Sequence, residues 1–169
     1  MKMVIIINGS GGAGKDTIVD IVGRHYKVMN VSSIEPIKII LSLAGVPDLD
    51  QKSDAGRKLL SDVKLAFSNY NDLPFKYLQY KYDTFVKDDN AEIMFAHIRE
   101  PLEIGKFKQI VKTKVLTLLI KNRNERCYGN MADDNVEMYP YDLVYENTGS
   151  LETLEEDFMK FFKVNILPR

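Results

Sequence analysis

The chain has 169 residues, 45% of them hydrophobic, and a formal net charge of −1 from 23 Lys and Arg against 24 Asp and Glu. That length suits one domain, 1–169, that buries its own core, and the balanced charge excludes a global basic field of the kind that holds a nucleic acid polymer. Cys127 is the single cysteine, so no internal disulfide forms; no apolar run has the length of a signal segment or a membrane span, and the expectation is a cytoplasmic protein without a membrane partner.

Met3 to Ile7 is an unbroken apolar, β-branched run and predicts a fully buried strand. Gly9, Ser10, Gly11, Gly12, Ala13 and Gly14 follow, and from Lys15 the pattern becomes helical through Ile18, Ile21 and Val22, fading near His25. Lys27 to Val31 predicts a second strand. Ser32 or Ser33 is expected to cap a helix whose first turn holds Glu35 and Pro36 and which stops at Gly45-Val46-Pro47. Two further helices are expected, one from Ser53 to the break at residues 69–72 and one opening at Pro74 and running through Phe85.

Ala91 to Ile98 predicts a third strand and Arg99-Glu100-Pro101 the start of another helix. Lys114 to Ile120 predicts a fourth. Residues 121–141 are polar, without sustained period, and hold Arg123 and Arg126; a stretch of this length suggests a functional loop. Asp142 to Tyr145 predicts a fifth strand, followed by a turn at Asn147-Thr148-Gly149 and a last helix capped by Ser150, with a short strand or coil after Phe162. Strands separated by helical crossovers imply a parallel sheet covered on both faces, with ligands at the carboxyl ends of its strands.

The spacing Gly9 to Lys15 is G-x-x-x-x-G-K in a strand–loop–helix setting, the arrangement that cradles a nucleotide's phosphates. Glycines let successive backbone N–H groups point inward at an anion, the helix N-terminus adds its dipole, and the lysine reaches the β and γ phosphates. The residue after the lysine, where a magnesium-binding hydroxyl is usual, is Asp16; the hydroxyl follows at Thr17. Asp16 is therefore the candidate magnesium ligand, acting through water.

Phosphoryl transfer rests on positioning and on positive charge around the moving group, so arginines near the loop argue for a second, anionic substrate. Arg99 directly follows a buried strand and is the candidate grip on the acceptor, against the plainer reading that it pairs with Glu100 or Glu103. Arg57 stands on the helical stretch as a binding or a solvated residue. Arg123 and Arg126 are candidate catalytic cations of a closing lid. His97, two residues before Arg99, is a poor magnesium ligand and is expected to line the cleft hydrogen-bonded. Asp16, Glu100 and Glu35 are the carboxylates available for water-mediated metal binding or for activating the acceptor. Tyr70, Tyr77, Tyr80 and Tyr82 read as core packing, with stacking on an acceptor base as the sharper alternative.

These residues resemble small-molecule kinases of the nucleoside monophosphate kinase superfamily. Gly-Lys-Asp-Thr at 14–17 is similar to the phosphate loop of phage and bacterial deoxynucleoside monophosphate kinases and of animal-type phosphomevalonate kinases. His97-Ile98-Arg99 resembles their Asp-Val-Arg strand end, and residues 141–152 resemble the last strand, turn and helix of dephospho-coenzyme A kinases. The resemblance implies an α/β, three-layer P-loop NTPase fold with a five-stranded parallel sheet, a helical acceptor-binding insertion over 32–88 and a lid loop over 121–140. It implies ATP and Mg2+ as cofactors and a small phosphorylated acceptor, held by Arg99, in a monomer or homodimer. The expected acceptor is a nucleoside or deoxynucleoside monophosphate, with dephospho-coenzyme A or another metabolite as the near alternative; a nucleotide-binding regulatory protein is the rival reading. By the same likeness, Asn147 and Gly149 lie beside the adenine.

Overall fold

The computed structural model describes residues 2–47, 49, 53–122 and 136–167. Five strands, β1 (Met3–Asn8), β2 (Val28–Ser32), β3 (Ile93–His97), β4 (Lys114–Asn122) and β5 (Leu143–Asn147), form one sheet in the order β2-β3-β1-β4-β5. Every pairing is parallel.

The centre of the sheet follows from β1. All six of its residues are buried, and alternate side chains leave on opposite faces. Met3, Ile5 and Ile7 face α1 (Lys15–Gly23) and the last helix, α6 (Leu151–Asn165), in a core that includes Ile18, Val22, Phe158 and Phe162. Val4 and Ile6 face the other way, into a core built with Leu78 and Phe85 of α4 (Leu73–Lys87) and with Ile104 and Phe107 of α5 (Pro101–Ile110). Each fully buried aliphatic side chain is worth about 1.5–3 kcal/mol, so no edge position satisfies this strand as well as the middle.

Two helices complete the α side of the sheet edge. α2 (Glu35–Leu43) buries Pro36, Ile37 and Leu41, whereas α3 (Asp54–Asn71), 18 residues long, buries none. Ser53 caps α3 by accepting a hydrogen bond from the Gly56 N–H at 3.1 Å. The helices over 32–88 thus stand between β2 and β3, as expected.

Several local expectations change. The N-cap position of α2 is Ile34, not a serine; the Ser32 hydroxyl receives only a long bond, 3.5 Å, from the Ile34 N–H, and Ser33 is used elsewhere. The final helix continues past Phe162 to Asn165, because Phe162 and Ile166 are both buried against the sheet. β5 covers residues 143–147, starting one position and ending two positions later than its apolar pattern suggested, since its register with β4 pairs Asn122 with Asn147. The tyrosines do not form one cluster: Tyr82 is core, its hydroxyl accepting from the Lys112 N–H at 2.8 Å, while Tyr70 and Tyr80 are exposed. Of the expected lid, residues 121 and 122 extend β4 and Val136–Met138 form a 3-10 turn; Arg123 and Arg126 lie outside the described residues. Among the described residues no helix is long and apolar enough to cross a membrane.

Candidate active site

Asn8, His97, Ser32, Asn122 and Asn147 end the five strands on one edge of the sheet. The phosphate loop leaves β1 there, and two glycines are forced by geometry. Gly9 has φ 152°, and a Cβ on it would stand 2.5 Å from the Ile120 carbonyl oxygen of β4. Gly14 occupies the N-cap of α1 at φ 94°, and its Cβ would meet the Asn147 side-chain nitrogen at 2.8 Å. The loop therefore lies closer to its neighbours than any side chain allows. Ala13 N–H donates to the Ser10 carbonyl at 3.2 Å, and the Lys15 ammonium folds back over the loop to the carbonyls of Gly9, 2.6 Å, and Ser10, 2.9 Å. The lysine thus sits over the concavity that would hold an anion.

Asn8, 1% exposed, is the node beneath this loop. Its side-chain oxygen accepts from the Gly9 N–H at 2.9 Å, and its amide donates to the Arg99 carbonyl at 3.2 Å and to the Tyr141 hydroxyl at 2.7 Å. Tyr141 in turn donates to the Val136 carbonyl at 2.8 Å. Burial pushes the Tyr141 hydroxyl up to about 12, against the opposing effect of the Asn8 bond, so it stays a neutral donor. One side chain therefore joins the loop, the strand end that carries Arg99, and the stretch leading into β5. Asn147 supplies a second tie, donating to the Ala13 carbonyl at 3.2 Å.

His97 stands opposite Ile7 and Ser32 in the sheet register. Its Nε2 is 2.9 Å from the Asn30 Oδ1, which only accepts, so the proton is on Nε2. Burial, reinforced by Lys15 and Arg99 and opposed by Asp16, lowers its pKa to about 4. The imidazole is neutral at pH 7 and hydrogen-bonded, as its sequence position suggested.

A cavity of about 830 Å³ opens from the loop across to α3 and the start of α5. Lys15, Asp16, Thr17, His97 and Arg99 line one end; Arg57, Ser61, Lys64, Glu100 and Glu103 line the other. Lys64, only 12% exposed, donates to the Ser33 hydroxyl at 3.0 Å, to Glu100 at 2.7 Å and to Glu103 at 2.8 Å. Burial pushes the Glu103 carboxyl up to about 7, with Glu100 adding to the rise and Lys64 resisting it. Burial also acts on Glu100, but there the Lys64 cation and the hydrogen bond from Glu103 win and hold it below the usual range.

Of the residues expected from sequence, Gly9 to Thr17, Arg99, Glu100 and Arg57 come to one cavity or its rim. Asn147 touches the loop directly. Gly149 lies in the turn beyond it, packed so that a Cβ would be 2.8 Å from the Thr153 hydroxyl. Asn8, Lys64, Glu103, Ser33 and Tyr141 went unrecognised. Asn8 carried one usable signal, a polar residue closing an apolar strand; Lys64 and Glu103 carried none, because each reads as an ordinary surface charge on an amphipathic helix.

Magnesium takes octahedral oxygen ligands, one or two from protein and the rest from phosphates and water. Asp16 and Thr17, both exposed on the first turn of α1, are oxygens of that kind. Among the described residues no group of three His, Cys, Asp or Glu is placed to enclose a metal. The donor set fits a metal carried in with a triphosphate and does not fit a cage built by protein alone.

No model of a known protein family matches the chain, and no curated protein matches it either. Solved structures do. Shikimate kinase from Aquifex aeolicus is similar over the full length of both chains, at 16% identity and a TM-score of 0.54. A sugar kinase from Janibacter, solved unliganded, is similar at 13% identity and a TM-score of 0.51 over 97% of this chain and 95% of its own. A Thermus thermophilus protein gives 17% identity and a TM-score of 0.50 over 99% of each chain. At such identities the likeness establishes the fold: α/β, a five-stranded parallel sheet between helical layers, with the phosphate loop at the end of its central strand.

Proposed function

We propose that this chain is an ATP-dependent phosphotransferase that moves the γ-phosphate of ATP to a small phosphorylated acceptor, a nucleoside or deoxynucleoside monophosphate. The observation that carries this reading is the shared cavity: the Lys15 loop opens into the same 830 Å³ space as Arg99 and Arg57, large enough for an acceptor beside a triphosphate. A nucleotide switch needs no second set of cations facing its phosphate loop.

In this reading the loop N–H groups and the N-terminus of α1 hold the β and γ phosphates, and Lys15 leaves the Gly9 and Ser10 carbonyls to follow them. Thr17, and Asp16 through water, would hold magnesium brought in with ATP, and the metal would supply charge neutralisation to the triphosphate. Arg99 forks onto the acceptor's phosphate and Arg57 faces it from α3. A bond forms from an acceptor phosphate oxygen to the γ phosphorus as the bond to the β–γ bridging oxygen breaks; ADP leaves with that electron pair. Neutral His97 places no competing positive charge on the metal.

The likeness to shikimate and sugar kinases favours a second reading, a kinase for a small hydroxylated metabolite, in which the oxygen attacked is an alcohol. One assay separates the readings: ADP formation from ATP and magnesium with a panel of nucleoside monophosphates, deoxynucleoside monophosphates, dephospho-coenzyme A, shikimate and simple sugars. Stimulation by a monophosphate upholds the first; stimulation by shikimate or a sugar alone replaces it with the second. A flat panel with tight ATP binding removes both and leaves a nucleotide-binding regulatory protein. In the active case, Arg99→Ala should raise the acceptor KM by roughly 10- to 100-fold with the ATP KM unchanged.

A further inference from the structure

Lys64 faces the acceptor cavity and has the charge expected of a phosphate ligand, yet its hydrogen bonds are already spent. An ammonium has three donors, and the Ser33 hydroxyl, Glu100 and Glu103 take one each, at 3.0, 2.7 and 2.8 Å. The three partners come from two sides of the cleft: Ser33 from the β2–α2 loop, and Glu100 and Glu103 from the N-cap and first turn of α5. Lys64 itself projects from α3. The ammonium and Glu103 are each only 12% exposed, and Ser33 is 3% exposed, whereas half of the Glu100 side chain remains open. The charge balance points the same way. One lysine against two carboxyls leaves the cluster between neutral and −1, depending on the Glu103 proton, which burial retains up to about pH 7. A dianionic phosphate gains nothing there; a neutral donor hydrogen does.

Resting on the kinase reading above, we propose that Lys64 is a positioning residue which fixes Glu100 as a hydrogen-bond acceptor for an N–H or O–H group of the acceptor molecule, so that Glu100 sets acceptor specificity while Arg99 and Arg57 take the phosphate. A carboxylate has about four lone-pair sites on its two oxygens; the bonds from Lys64 and Glu103 hold Glu100 in place, and the half of its side chain that stays open lines the cavity. The donor hydrogen can come from the base or from the sugar, and the two sources are separable by substrate.

The test is steady-state kinetics on pairs of acceptors that differ by one donor: ribo- against deoxyribonucleotides for the sugar hydroxyl, and guanosine against inosine monophosphates for the base amino group. These are run on the native protein and on Glu100→Ala, Lys64→Met and Lys64→Arg. The native protein should prefer the donor-bearing member of one pair by about tenfold or more, and Glu100→Ala should bring that ratio to within about twofold with the ATP KM unchanged. Lys64→Met should erode the same ratio by raising the KM of the preferred acceptor with little change in kcat, and Lys64→Arg should restore part of it. If Lys64 were a phosphate ligand, the outcome would reverse: Glu100→Ala would free it and lower every acceptor KM, while Lys64→Met would weaken all acceptors equally with the ratio intact. Either of those results overturns the proposal, as does a native protein that shows no preference within any pair. Transfer to no acceptor at all by a native protein that binds ATP overturns the kinase reading itself, and is thereby told apart from a failure of this inference. ATP binding and thermal melting of each variant confirm that a lost ratio does not come from a lost fold.

Discussion

The two sides of the cleft are held together by different kinds of bond. Around the end of β1 the ties run mostly to backbone: Asn8 joins the Gly9 N–H and the Arg99 carbonyl, Asn147 holds the Ala13 carbonyl, and Lys15 lies on the carbonyls of Gly9 and Ser10, while the bond from Asn8 to the Tyr141 hydroxyl joins two side chains. Across the cavity, α3 buries none of its 18 residues, and the bonds that reach over from it are between side chains, Lys64 with Glu100 and Glu103, and Asp72 with Lys106 at 3.0 Å. On the kinase reading proposed above, the contrast teaches that the nucleotide half, whose ligand is a phosphate chain of fixed geometry, is prebuilt from backbone contacts, and that the acceptor half is assembled from side chains that can be exchanged without rebuilding the sheet.

If that division holds, the largest effect belongs to the one side chain that the nucleotide half uses for chemistry. Lys15→Ala should reduce phosphoryl transfer by roughly 10³-fold or more, measured as single-turnover rate with ATP, while the melting temperature changes little. A variant that kept activity within tenfold would move the reaction away from this loop. Next comes the backbone. Gly9→Ala would drive a Cβ to 2.5 Å from the Ile120 carbonyl, in a conformation at φ 152° that side chains avoid, so a loss of about 2–4 kcal/mol of unfolding free energy is expected. Denaturation by urea reads it directly. A near-neutral result would mean that the loop and β4 separate easily, and that the nucleotide half is no more rigid than the other.

The same contrast explains what the sequence made legible. The strand–loop–helix of residues 3–17 is local: glycine spacing, a lysine and an apolar run lie within fifteen residues, and the parallel pairing of the sheet follows from the crossovers. Arg99 was found because it directly follows a buried strand. Lys64 was not, since its partners Ser33, Glu100 and Glu103 lie 31, 36 and 39 positions away and nothing around it departs from an exposed helix face. Tyr141 was hidden for a similar reason, since its partner Asn8 is 133 residues distant. The end of α6 was misjudged because Ile166 looks like the start of an apolar strand until Phe162 and the sheet are seen to bury it.

Tyr141→Phe probes the node between the halves. The substitution keeps the ring and deletes the hydroxyl that accepts from Asn8 and donates to Val136, stranding one donor and one carbonyl, at a cost of about 1–3 kcal/mol. Because Asn8 also holds the Arg99 carbonyl, the acceptor KM should rise along with the loss of stability while the ATP KM stays closer to native. Equal changes in both constants would show that Asn8 supports the loop alone.

The smallest expected effect is a pH dependence confined to the acceptor half. Glu103 has its pKa raised from 4.5 to about 7 by burial, so between those values the unfolded chain holds fewer protons at this site than the folded one. Its contribution to stability is therefore complete below pH 4.5 and is lost as the pH rises through 7. Glu103→Gln removes that titration while keeping the shape. The unfolding free energy of the variant, measured relative to the native protein, should climb between pH 4.5 and 7 by an amount on the order of 1–2 kcal/mol and then level off. His97 acts in the opposite sense, since its pKa is lowered from 6.5 to about 4 and protonation across that window destabilises the fold, but it is present in both proteins and cancels in the difference. A flat difference would mean that the shared proton of the cluster resides on Glu100, which would leave Glu100 a donor and reverse the polarity of the group it selects in the acceptor.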